Sequence, residues 1–557
     1  MTTTQKQSDP KTGKKTGWII LAAAVLLLST VMFLVLRRSK PLATAQGYVA
    51  SHTETAEILD ADGQRIRELP RGSSVTYVIE KRKESDPVRI VLDGDSFGYL
   101  RAENLTDDLR QVVTVPTVYV RTAVNLADES GAALGTLADK GTALSVLGYD
   151  GLCPDGSVVR YRVQLADEEG YLRSSYVTVD EASAASQHDE ETYQIHTARG
   201  DSWGGGDAAE LDYFPREKAD FSGQGNMMPT EVKALYLNGE SLVNVEDYLA
   251  IAASCAINAF VVDVVDGGAV AYGAAAMEKY SPATYRAAIN TPEEYRAAVE
   301  KLRSAGYYVI GRITTFNDPY LAEDHPECVI AGSDGGPMKI AGMYWPSAYN
   351  RFVWQYKVDL AVEAAQTMGF NEIQFDYVRF PDGTWEYDEG EINYRNICGE
   401  SKAQAIQRFL MYACDRLHDV GVYVSADVFG ECAEDYVTAY GQYWPAISTV
   451  VDVISAMPYP DHYGQSGDYK PWEHPYETLY TFGTKAAQRQ AETASPAVVR
   501  TWVQAYNAIR EPYNTYGPEQ VAQEIAALRD SGNTGGYMTW NAGSFRDKYT
   551  SLVSAFD

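Results

Sequence analysis

From Thr230 onward, short apolar runs rich in β-branched residues alternate with longer helical patterns, and this alternation constrains the fold more than any other feature of the chain. The spacing predicts strands at Val232–Leu237, Ala259–Val264, Tyr307–Thr314, Glu372–Phe375, Val422–Val428, Val453–Met457, Val498–Val503 and Gly535–Thr539. It predicts helices over Val245–Cys255, Thr291–Ala305, Phe352–Met368, Lys402–Val420, a short run near Tyr443–Thr449, Tyr476–Glu492 and Pro518–Ser531, with Leu552–Phe556 closing the last one. Thr291-Pro292-Glu293-Glu294 reads as an N-cap, a first-turn proline and two acids that favour the positive end of the helix dipole. Strands that each feed a helix point to an α/β fold, a (β/α)8 TIM barrel over residues 230–557. The other α/β solution is a doubly wound sheet, and no Gly-rich nucleotide turn recommends it.

In a barrel of this kind chemistry sits where the strands end. Strand two ends at Asp263, with Asp266 just beyond, and strand three carries Arg312 and runs on to Asn317-Asp318. Strand four ends in Phe375-Asp376-Tyr377-Val378-Arg379, and strand five in Asp427, followed by Gly430-Glu431. Strand six gives Tyr459 and His462, strand seven Gln504 and Tyr506, and strand eight Trp540-Asn541. An acid leaving a buried strand is costly unless it is paired or used. Polar exits on seven of the eight strands, with aromatics among them, describe a carbohydrate cleft in which carboxylates do the chemistry and rings and amides hold the sugar. Glycoside hydrolysis needs two carboxyl groups, and Asp376 and Asp427 end neighbouring strands, within reach of either the retaining or the inverting separation. Asp376 and Asp427 are the expected carboxylate pair, with Glu431, four residues beyond Asp427, a further candidate. Asp263, Arg312, Tyr377, Arg379, Tyr459, His462, Gln504, Trp540 and Asn541 are the expected substrate-binding residues. Asp263 can also serve as a third carboxylate or as Arg312's ion-pair partner, and Arg379 is expected to orient Asp376 and lower its pKa.

The formal net charge is −29, which excludes a nucleic-acid backbone as partner because nothing would neutralise its phosphates. No G-x-S-x-G elbow, no C-x-x-C pair and no His/Asp/Glu set with metal spacing stands out, so neither a metal nor another cofactor is expected. The six cysteines are scattered; Cys255 and Cys414 fall in helical patterns, and a Cys398–Cys432 disulfide is left open.

Ahead of the barrel, residues 1–16 form a polar tail with four lysines, and Gly17–Leu36 are twenty residues without a charge, enough to span a bilayer. Arg37, Arg38 and Lys40 follow, and the run is longer than a signal-peptide core, so an uncleaved single-pass anchor is expected, N-terminus cytoplasmic and body extracellular. Residues 46–108 and 116–180 repeat one another. Leu69-Pro70-Arg71-Gly72 aligns with Ala138-Asp139-Lys140-Gly141, Arg89-Ile90-Val91-Leu92 with Arg162-Val163-Gln164-Leu165, and Gly98-Tyr99-Leu100-Arg101 with Gly170-Tyr171-Leu172-Arg173. Each copy has short alternating strands broken by Gly and Asp, a small all-β domain. Both resemble bacterial SH3-like domains, which implies wall-peptide (peptidoglycan) binding or a spacer role. Residues 181–229 read as a linker.

Several segments together carry a more specific resemblance. They are Val261-Val262-Asp263-Val264, Gly311-Arg312-Ile313, Phe316-Asn317-Asp318-Pro319, the block from Gly369 to Pro381 containing Glu372-Ile373-Gln374-Phe375-Asp376-Tyr377, Ser425-Ala426-Asp427-Val428-Phe429-Gly430, and Met457-Pro458-Tyr459-Pro460-Asp461-His462-Tyr463. They are similar to a family of glycoside-hydrolase-like barrels, long described as a domain of unknown function and distantly like the α-amylase type. The resemblance spans Pro229 to about Trp540. It implies a TIM barrel, a sugar-polymer substrate, a nucleophile at Asp376 and a donor at Asp427 or Glu431. Amylase-like barrels add a His-Asp pair late in the chain, which is missing after strand seven here. The expected protein is therefore a membrane-anchored extracellular glycoside hydrolase acting on an envelope or environmental polysaccharide. The rival reading is a non-catalytic glycan- or wall-binding protein.

Overall fold

The computed structural model describes residues 42–50, 55–92, 96–112, 115–152, 157–185, 195–196 and 203–556. The expected tail and anchor, residues 1–36, and part of the expected linker lie outside them. Among the described residues no helix is long and apolar enough to cross a membrane. The described cysteines Cys255, Cys328, Cys398, Cys414 and Cys432 are free thiols, so Cys398 and Cys432 are not joined.

By their contacts the residues group into two units, one ending at Thr117 but including Ser145–Val163, the other made of Val118–Leu144 and Gln164 onward. The first holds a seven-stranded sheet between Thr44 and Thr106, packed around Val49, Ala56, Ile58, Val75, Ile90 and Leu100. The repeat read in the sequence is visible in strand pairing. Strand 55–59 pairs with 65–70 and with 97–100, and 44–49 pairs with 105–106. In the second unit 124–127 pairs with 133–138 and with 168–173, and 117–120 pairs with 177–178, the same scheme one copy later. The repeated glycine has a steric cause: a Cβ at Gly98 would lie 2.4 Å from Ile58, and one at Gly170 2.9 Å from Leu126.

The second unit also contains the α/β part. Its strands are β1 (Val232–Leu237), β2 (Ala259–Asp266), β3 (Tyr308–Thr314), β4 (Glu372–Asp376), β5 (Tyr423–Phe429), β6 (Val453–Met457), β7 (Val498–Val499 and Thr501–Gln504) and β8 (Gly536–Trp540). Consecutive strands pair in parallel and β8 pairs back onto β1. β7 breaks at Arg500; its first piece pairs with β6 and its second with β8. The result is a nearly closed, barrel-like parallel sheet, consistent with the expected (β/α)8 architecture. Besides short helices at Ala275–Tyr280, Pro282–Arg286 and Leu321–Asp324, the helices include α1 (Val245–Ala252), α2 (Pro292–Ser304), α3 (Arg351–Met368), α4 (Lys402–His418), α5 (Trp444–Ser448), α6 (Pro475–Ala491), α7 (Pro518–Asp530) and α8 (Arg546–Leu552). α2 begins with the expected cap, in which Thr291 and Glu294 satisfy each other's backbone N–H groups. α3 ends at Gly369, whose φ of 79° lets the chain reverse directly into β4.

Because strands are strongly tilted in such a sheet, alternate strands fill alternate layers of the interior. β2, β4, β6 and β8 bring Val261, Gln374, Ser455 and Met538 together, with the Gln374 amide donating to Ser455 Oγ at 3.2 Å. The next layer is Tyr236, Arg312, Asp427 and Trp502 from the odd strands, and the one above it Asp263, Asp376, Met457 and Trp540 from the even strands. Toward the carboxyl ends of the strands the interior therefore gathers a cluster of one guanidinium and several carboxyls. At the opposite end Arg500, in the break of β7, pairs with Glu372 at 2.8 Å, and Tyr308 donates to the same carboxylate.

Candidate active site

The chain turns sharply where β4 ends. Tyr377 has φ 50°, in the left-handed region where a bulky residue is strained. Its N–H donates to Asp376 Oδ1 at 2.6 Å, and Thr315 and Phe316 on the β3 side donate to the Asp376 and Tyr377 carbonyls at 2.8 and 3.2 Å. The turn thus fixes the Asp376 carboxylate before any other side chain touches it.

Arg312, from β3, is the hub. Its guanidinium bonds Asp263 Oδ1 at 2.7 Å, bonds Asp376 Oδ2, and reaches Asp266 Oδ1 at 3.3 Å and Asp427 Oδ2 at 3.7 Å. Asp263, Arg312, Asp376 and Asp427 are all buried, while Asp266 is half-buried. Burial works against the Arg312 charge, but Asp266, Asp376 and Asp263 outweigh it and hold the group protonated. Asp263 accepts a second hydrogen bond from the Tyr236 hydroxyl, and burial, opposed by Arg312, pushes its carboxyl up to about 7.

Asp427 differs from Asp376 in what it lacks. Trp502 Nε1 donates to its Oδ1 at 2.8 Å, but its Oδ2 accepts no hydrogen bond from any described residue, since 3.7 Å to Arg312 Nε is too long for one. Burial first, and the Asp376 charge second, push this carboxyl well above the usual carboxylate range, against the pull of Arg312 and Trp502. One carboxylate pinned by a guanidinium and one neighbouring carboxyl that favours its proton are the two halves of an acid-assisted displacement. Met457 and Trp540, in the layer of Asp263 and Asp376, are half-buried, as are Tyr377 and Tyr506. The Trp540 ring lies 5.1 Å from the Arg312 guanidinium and 4.6 Å from Tyr236.

The other expected residues are placed differently. Arg379 does not touch Asp376. It donates to the Phe380 carbonyl at 3.1 Å and to Asp382 at 3.2 Å, and lies over Phe429, so Arg312 occupies the place expected for it. Glu431 is exposed in a 3-10 turn and takes hydroxyls from Tyr436 (2.9 Å) and Tyr440, with no contact to the Arg312 cluster. Replacing Glu431 by Gln should therefore leave kcat/KM within about twofold of the wild type, no more than ~0.5 kcal/mol, in steady-state assays. Tyr459 is buried in the core with Trp502 and Tyr236, its ring 5.0 Å from half-exposed His462 and 6.0 Å from Tyr506. Gln504 is buried and braces the loop after β6, accepting from the Asp461 N–H at 3.4 Å. Asn541 turns away to the Phe545 carbonyl at 3.2 Å, capping a turn after β8.

Tyr236 and Trp502, which donate to Asp263 and Asp427, were not among the expected residues, because a large aromatic inside a mostly buried strand looks like core. A polar ring atom in an inward register opposite an acid is the signal that could have exposed them.

Residues 234–545 match the family described as "Putative glycosyl hydrolase domain". No curated protein matches the chain. Among solved structures, a hypothetical protein from Ruminiclostridium thermocellum is 31% identical, with 35% of this chain and 97% of that one covered and a TM-score of 0.29. The glycoside hydrolase domain of PgaB (BpsB) from Bordetella bronchiseptica is 12% identical, covering 58% and 99%, with a TM-score of 0.43. A class V chitinase from Pseudomonas fluorescens is 13% identical, covering 58% and 100%, with a TM-score of 0.37. As the family match takes in more than half of the 557 residues, the chain belongs to the family described as "Putative glycosyl hydrolase domain".

Proposed function

We propose that the protein is a glycoside hydrolase in which Asp376 is the nucleophilic or charge-stabilising carboxylate and Asp427 the general acid. The observation that carries this reading is the asymmetry between the two acids: Arg312 bonds Asp376, while Asp427 keeps one buried oxygen free of hydrogen bonds and favours its proton. The substrate is a polysaccharide of the envelope or surroundings. Residues 17–36 anchor the chain in a membrane with the body outside, in line with twenty uncharged residues bordered by Arg37 and Arg38. The β-rich copies ahead of the barrel bind wall peptide or act as spacers.

The protonated Asp427 would give its proton to the departing glycosidic oxygen while positive charge develops on the sugar beside Asp376. Trp540 and Tyr377 offer ring faces to the sugar, and Asp266 offers a hydroxyl acceptor at the rim. The test is wild-type protein on a panel of glycans, read by new reducing ends; binding without product on every glycan would favour the non-catalytic reading. Asp427→Asn should cut hydrolysis of unactivated glycans by about 10²–10⁴-fold, yet cost far less on aryl glycosides whose leaving group needs no proton. Because the acid form of Asp427 is the active one and its pKa is raised, wild-type activity should fall only as the pH climbs through that raised value. The Asn variant should lack this alkaline limb on aryl glycosides. An unchanged limb in the variant would remove Asp427 from the role.

A further inference from the structure

The insertion between β3 and α3 contains His325-Pro326-Glu327-Cys328, which no role described above uses. A 3-10 turn over Pro326–Cys328 folds these residues onto one another. His325 Nδ1 lies 3.0 Å from Glu327 Oε1, and Cys328 Sγ lies 4.0 Å from the same oxygen. One donor atom from each of the three lies within 4.8 Å of the others. A tetrahedral ion with bonds of about 2.0–2.3 Å holds its ligands about 3.3–3.8 Å apart, so small side-chain shifts suffice to close on it.

The donor set is selective. An imidazole nitrogen, a carboxylate oxygen and a sulfur suit Zn²⁺, whereas Ca²⁺ and Mg²⁺ take oxygen shells. The surroundings also match what a metal site needs. The His325 ring packs on Phe352, 4.6 Å between centroids, which fixes its plane. The Asn350 side chain reaches the thiol and also caps α3. Cys328 is buried, His325 half-buried and Glu327 exposed, so the cluster opens to solvent on the Glu327 side. Arg395 is a nearby cation, but it donates to the carbonyls of Val329 (2.6 Å), Gly335 (3.0 Å) and Pro326 (3.3 Å).

We propose that His325, Glu327 and Cys328 bind one Zn²⁺ ion, which staples the insertion after β3. Coordination forms the Zn–S bond as the thiol proton leaves to solvent. The turn leads directly into Ala331–Gly332, which pairs with Ile392–Asn393 of the insertion after β4. Trp345, in the same buried cluster as Ile330, packs 5.8 Å from the Tyr377 ring beside Asp376. The ion would therefore stiffen the wall next to the site without touching substrate.

The test is titration of the chelator-stripped full chain with Co²⁺. One equivalent should produce a thiolate-to-cobalt charge-transfer band in the near ultraviolet, and added Zn²⁺ should abolish it. C328S should lack the band with unchanged far-ultraviolet circular dichroism. H325A keeps the thiol and should weaken Co²⁺ at least tenfold. Absence of the band, its survival in C328S, or wild-type affinity in H325A would each overturn the site. Zn²⁺ should also raise the thermal midpoint of the wild type but not that of H325A; an equal rise in both counts against the staple.

Discussion

Asp376→Asn is expected to lower turnover of any glycan the protein cuts by at least about 10³-fold, roughly 4 kcal/mol of lost transition-state stabilisation. The substitution keeps the side chain's size and its place at the Tyr377 turn. It removes the negative charge that Arg312 holds and that a developing oxocarbenium ion would face. The loss should therefore fall on kcat, with KM or the glycan dissociation constant little changed. The measurement is a pair: product formation by reducing-end assay, and glycan binding by calorimetry. A variant that still turns over within about tenfold of the wild type would exclude Asp376 from the chemistry. Loss of binding together with product would instead mean that the substitution collapses the ion cluster.

Arg312→Met is expected to destabilise the α/β unit by about 3–5 kcal/mol near neutral pH, because it leaves buried Asp263 and Asp376 without their cation. Lys would not rescue the loss, since one ammonium cannot reproduce the forked contacts to both carboxylates. The pH dependence has a definite sign. Asp263, already pushed up to about 7, loses the charge that opposes its burial, so the folded variant binds a proton that the unfolded chain releases. The variant's stability should then be best in acid and fall as the pH rises through the raised Asp263 value. Its deficit against the wild type should thus shrink on acidification. Denaturant midpoints measured across pH test this directly. A deficit below about 1 kcal/mol at neutral pH would mean that the carboxyls are already neutral in the wild type and that Arg312 carries little of the site's electrostatics.

Much of the barrel-like part was legible from short-range signals. The apolar runs became β1 to β8 within a residue or two at most ends, and the helices followed their caps, because apolar period, proline at the first turn and glycine at the last act within a few residues of chain. Asp376 and Asp427 stood out for a similarly local reason: an acid at or near the end of an apolar strand is costly, so its position alone marks it. The repeated Gly98 and Gly170 likewise showed in the sequence as a doubled motif, each forced by a side chain pressed against it.

Which groups meet was a different matter. Arg379, three residues from Asp376, was the natural partner by chain distance, yet Arg312 from the neighbouring strand holds the carboxylate. Glu431 lies four residues beyond Asp427, but the turn after β5 carries it to Tyr436 and Tyr440. The sequence by itself determined the strand–helix order, the ends of the strands and the acids that leave them. Only the tertiary structure decided that Tyr236, Arg312, Asp427 and Trp502 share one layer, with Asp263 and Asp376 in the layer above. The physical reason is strand register. Whether a residue faces inward is a local alternation, but its height in the interior depends on how each strand is staggered against the next around the sheet, and that stagger is set by packing between segments far apart in the chain.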